Sequence, residues 1–166
     1  MNATKPPCKE YERLWEGHCI DKNLADEWLD RLNKLGCFDL ISICEGHSDR
    51  RPGSASAYPH LNLKLKEHLL PPVSDRWDKY KSVFFDQVNR LFQTGDTLVN
   101  MEVKFKLRLG VAKMSYRENL SLKIRCRQAR TASKMDPKTA TWFRRTVARL
   151  EKLDRSIASR ISEPVE

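Results

Sequence analysis

The sequence predicts an α+β domain of order αα–ββα–ββα, in which a mostly antiparallel sheet carries helices on one face. Three observations predict it. Two stretches alternate apolar and polar residues with period two, and the segments before, between and after them repeat at three and four. The link between residues 44 and 60 is too short for a helical crossover, so the strands it joins should pair antiparallel. At 166 residues the chain matches one domain in length, read as a helical pair over 1–36, a ββαββα core over 37–162 and a tail over 163–166.

Tyr11, Leu14, Trp15 and His18 fall at i, i+3, i+4 and i+7, which predicts a first helix over about residues 9–18. Asp21 offers a cap for a second helix burying Leu24, Trp28, Leu32 and Leu35, with Gly36 as its stop. Phe38 to Cys44 is short and nearly continuous in hydrophobicity, as in a central strand. Leu61, Leu63 and Leu65 alternate with His60, Asn62, Lys64 and Lys66. Pro71 and Pro72 break the chain before a helix with Trp77, Tyr80, Phe84, Val88 and Leu91 on one side. Alternation then returns over Val99–Leu109 and Leu120–Cys126. Asp136 and Pro137 pair a cap with a proline at the first helical position. The helix they open carries Phe143, Val147, Leu150, Leu153, Ile157 and Ile161 in one stripe. That stripe fits core packing, or a seam for a homodimer through the C-terminal helix.

The net charge of +9 is unevenly placed. From Thr97 onward there are 17 Lys and Arg against 7 Asp and Glu, whereas the first 96 residues hold 14 against 15. A field of this kind implies a polyanionic partner. No apolar run is long enough for a membrane span, and no leader precedes the first helix, so no membrane is expected. Five scattered cysteines without a Cys-x-x-Cys pair read as reduced thiols, and hence as a cytoplasmic protein.

Two constellations carry chemistry. The first is the polar sheet face: Lys64 and Lys66; Lys104, Lys106 and Arg108; and Lys123, Arg125 and Arg127. It favours phosphate backbones over base stacking, because no aromatic residue falls on that face. Nucleic-acid binding is the function expected from it. The second gathers Glu45, His47 and His60 where one strand ends and the next begins, beneath a loop with Arg50 and Arg51. His47 and His60 could exchange protons with a small anionic or phosphoester substrate, with Glu45 orienting a histidine and the arginines gripping the anion. The same group, with Cys44, could instead hold a divalent metal. An oligomeric interaction protein without catalysis is the third alternative.

Ile43-Cys44-Glu45-Gly46-His47 followed by Tyr58-Pro59-His60-Leu61 resembles a Cys-Glu-Gly-His strand end of prokaryotic and phage proteins, over about 20 residues. The resemblance implies a site at this loop and names no activity. His60-Leu61-Asn62 is similar to the His-hydrophobe-His of rolling-circle nucleases, with Asn62 in place of the second histidine.

Overall fold

The computed structural model describes residues 8–16, 18–47, 54, 57–70, 77–109, 114–130 and 135–162, without the side chains of 78–80, 105–109 and 114–118. Its elements are β1 (Glu12–Trp15), β2 (His18–Asp21), α1 (Asp26–Asn33), β3 (Phe38–Cys44), β4 (His60–Leu65), α2 (Trp77–Phe92), β5 (Thr97–Leu109), β6 (Met114–Cys126) and α3 (Pro137–Ser162). β1 and β2 form a two-stranded sheet, and the other four strands form an antiparallel sheet of order β3-β4-β6-β5.

The expected order αα–ββα–ββα is therefore wrong at its start, since the chain begins with a hairpin rather than a helical pair. Trp15 pairs with His18, leaving a two-residue connection in which Glu16 has φ +43°. Two-residue hairpins need positive φ in the turn to match the twist of their strands. Leu14, counted on the buried helical face, is 68% exposed. A bridge between Cys8 and Cys19 crosses the hairpin, so the five cysteines are not all free thiols; Cys37, Cys44 and Cys126 are.

Asp21 ends β2 and caps no helix: α1 starts at Asp26, after Ala25, without a side-chain cap. Arg13 holds the hairpin to α1 through the Leu24 carbonyl and an ion pair with Asp26. Gly36 lacks the positive φ expected of a helix stop, a conformation that Gly46 alone shows among the described glycines. The Gly36 and Cys37 N–H groups donate instead to Asp154 of α3, at 3.0 and 2.7 Å. Asp154 interrupts the apolar stripe of α3 in order to satisfy that turn.

Leu61, Leu63, Leu65, Leu120, Leu122 and Ile124 point from the sheet into the core and are fully buried. α3 lies between α1 and α2 on that side. Its Trp142, Phe143, Val147, Leu150, Leu153 and Ile157 are all buried within the chain, so the stripe that could have served a dimer seam is spent on packing. Each such side chain contributes roughly 1.5–3 kcal/mol. Asp136 starts α3 as expected, accepting from the Thr139 N–H and hydroxyl at 2.8 and 2.9 Å. No described helix is long and apolar enough to cross a membrane.

Candidate functional site

The opposite side of the four-stranded sheet carries polar rows fixed by register. One row runs Cys44, His60, Arg125, Leu98; the next runs Ser42, Asn62, Lys123, Asn100; the third runs Asp39, Lys64, Ser121, Glu102. β3 thus adds an acid, Asp39, to the basic face. A bulge between Leu40 and Ser42 throws Ile41 outward, 60% exposed.

Most basic groups on this face have protein partners. Lys64 pairs with Glu67 at 3.1 Å, and Lys104 and Lys123 share Glu102 at 3.4 and 3.3 Å. The Lys123 hydrogen bond and the nearby Lys104 hold the Glu102 carboxyl below its ordinary range. Lys66 turns away to donate to the Leu35 carbonyl at 3.0 Å, and Arg127 donates to the Thr97 carbonyl at 3.3 Å. Arg125 lies over the Tyr58 ring at 4.7 Å, which puts an aromatic beside a face expected to have none. Lys106 and Arg108 sit in β5 opposite Arg117 and Ser115, with side chains outside the described residues, where Arg50 and Arg51 also lie.

Between the rows is a groove of about 580 Å³ lined by His60, Asn62, Leu98, Asn100, Lys123 and Arg125 among others, with no acid among its described lining residues. The His60 Nδ1–H donates to the Tyr58 carbonyl at 2.9 Å, which fixes its ring at the groove's end. Asn62 donates to the Ser42 hydroxyl at 2.7 Å.

The three residues expected to act together have separate partners. Glu45, 4% exposed, faces inward, where its Oε1 takes Arg130 Nη1 and Asn23 Nδ2, each at 3.0 Å. Burial raises the carboxyl above its usual range, against the pull of Arg130 and Asn23. Its second oxygen, Oε2, has no hydrogen-bond partner among the described residues. Arg130 also donates to the Gly46 carbonyl at 3.2 Å, while its N–H donates to the Ala57 carbonyl at 2.9 Å. This clasp joins the end of β3, the start of β4 and the segment after β6. Gly46 has to be glycine here: φ is +83°, and a Cβ would meet Pro59 at 3.0 Å and the Ala57 carbonyl at 3.1 Å.

His47 looks toward the hairpin. Its Nε2 lies 3.4 Å from Cys44 Sγ and 3.7 Å from Asp21 Oδ1, and the Tyr11 ring meets it edge-on with centroids 4.8 Å apart. Asp21 Oδ2 accepts the Glu45 N–H at 2.7 Å, and the Gly46 N–H donates to Cys44 Sγ at 3.4 Å. Burial, with the Asp21 carboxylate adding to it, pushes the Cys44 thiol up to about 12. In the protein alone Cys44 is therefore a protonated thiol at neutral pH, not a ready nucleophile.

As residues of this site, Asp21, Asn23 and Arg130 were not expected from the sequence, and Asp21 was assigned to a helix cap. Asp21 and Asn23 reach the strand end only because the first element pair is a hairpin, and the turn-prone dipeptide Glu16-Gly17 in the sequence was the signal available. Arg130 is 85 positions from Glu45, and no local pattern marks it. Comparison with protein-family models, with curated proteins and with solved structures finds no match for this chain.

Proposed function

We propose that the chain binds nucleic acid through phosphate contacts on the open face of the four-stranded sheet. The supporting observation is the groove walled by His60, Asn62, Asn100, Lys123 and Arg125, which offers cations and amide donors, with no carboxylate among its described lining residues. Phosphate oxygens accept from such groups, and release of condensed counterions drives association without sequence readout. The Lys123–Glu102 pair is half-exposed, and water and salt replace a partner of that kind at little expense. Arg125, held over the Tyr58 ring, adds a planar guanidinium on which an unpaired base can stack, which favours single strands over duplex.

Binding of labelled single-stranded RNA, single-stranded DNA and duplex DNA at about 50 and 200 mM salt tests the reading. Six phosphate contacts would lower affinity by on the order of a thousandfold across that range. Absence of binding at the lower salt would remove this function.

A further inference from the structure

We propose that Asp21, Cys44 and His47 form a three-ligand site for a divalent cation of the zinc class, with a fourth position for water or an anionic oxygen. The donor atoms converge from two elements: Asp21 from the end of β2, and Cys44 and His47 from the end of β3. All lie within 4.8 Å of one another. Bonds of about 2.3 Å to sulfur and about 2.0–2.2 Å to nitrogen and oxygen, at tetrahedral angles, place sulfur and nitrogen about 3.5 Å apart and nitrogen and oxygen about 3.4 Å apart. The corresponding distances are 3.4 Å for Cys44 Sγ to His47 Nε2 and 3.7 Å for His47 Nε2 to Asp21 Oδ1. These two edges match a closed site to within a few tenths of an ångström, and the edge from Cys44 Sγ to the Asp21 carboxylate lies within 4.8 Å.

Charge points the same way. Asp21 is 5% exposed, and among the described residues no Lys or Arg forms an ion pair with it. Arg130, the buried cation nearby, is engaged by Glu45. Buried carboxylates are ordinarily paired or bound to metal. One thiolate and one carboxylate balance a divalent ion, and a sulfur, nitrogen and oxygen donor set suits zinc better than magnesium or calcium. The outer partners of a metal site are present as well. The Glu45 N–H fixes the second carboxylate oxygen of Asp21, the Gly46 N–H reaches the sulfur, and Tyr11 packs against the imidazole. Cys44 is directly opposite His60 in register, so the cation would border the groove's end, although its binding does not depend on the nucleic-acid reading. A second convergent group, Cys8, Glu12 and Cys19, has its two sulfurs joined to each other and is not available as ligands.

The full chain, stripped with a chelator, is titrated with Co2+ and then Zn2+. The site predicts a thiolate-to-cobalt charge-transfer band that saturates at one equivalent and is displaced by Zn2+. Cys44→Ser should abolish the band. Asp21→Asn keeps an acceptor for the Glu45 N–H, and with circular dichroism unchanged it should weaken Zn2+ binding by at least the roughly 10- to 100-fold that loss of an outer partner costs. The proposal is overturned by a folded wild-type protein with no band, by a band that survives Cys44→Ser or vanishes in Cys8→Ser/Cys19→Ser, or by a folded Asp21→Asn with unchanged affinity.

Discussion

Two glutamates of this chain bind cations in opposite surroundings. Glu45 meets Arg130 with both side chains almost fully buried, and the pair ties together three chain segments. Glu102 meets Lys104 and Lys123 on the open sheet face, where all three side chains are more than a third exposed. Removing one partner of a buried pair strands a charge out of water, whereas water and salt replace a surface partner at little expense. The first pair therefore holds the fold, and the second contributes little to it.

The largest expected effect is at the clasp. Arg130→Ala should cost about 3–5 kcal/mol in denaturant unfolding, because Glu45 is left buried without its cation. Gly46→Ala follows, at about 1–3 kcal/mol or more, since it combines a positive φ with contacts to Pro59 and Ala57 that leave no room for a methyl group. A loss below about 0.5 kcal/mol for either variant would contradict the division between the two regions. Glu102→Gln on the open face should leave the denaturant midpoint nearly unchanged.

Acid separates the buried and the paired carboxyls by sign. Arg31 grips Glu151 with two hydrogen bonds of 2.7 Å, joining α1 to α3, and this bonding holds the Glu151 carboxyl below its ordinary value of 4.5. Its folded value is the lower one, so its contribution is complete above 4.5 and is lost as pH falls through the depressed value. Glu45, raised above 4.5 by burial, acts in reverse, and its effect on stability becomes less favourable as pH rises from 4.5 through the raised value. Glu151→Gln should therefore flatten the acid limb of a stability–pH curve measured from about pH 2 to 7, compared with the wild type. An unchanged acid limb would contradict the Arg31–Glu151 assignment.

The sequence was legible where one period admits one structure. Leucines at 61, 63 and 65 between polar residues have a single reading, and Asp136-Pro137 marks the start of α3 with no competing pattern. The N-terminus was not legible in this way. Tyr11, Leu14, Trp15 and His18 satisfy helical spacing by residue type, yet Leu14 faces solvent, and burial rather than periodicity separates the two readings. At the candidate site, sequence placed Glu45, His47 and His60 near one another along the backbone, but side-chain direction divides them. Glu45 turns inward to Arg130, His47 toward Asp21, and His60 onto the groove. A Lys/Arg-rich face was evident from alternation, whereas Asp39 entered it through the pairing of β3 with β4, which composition does not encode.

If the open face exchanges its protein partners for phosphates, the salt dependence of single-strand binding will report the exchange. Two variants should move binding in opposite directions. Lys123→Gln/Arg125→Gln should reduce the slope of log K against log salt by about 1.4, at about 0.7 per phosphate contact, while Glu102→Gln, by freeing two lysines, should tighten binding and leave or steepen the slope. Identical slopes in the wild type and the double variant would contradict that exchange.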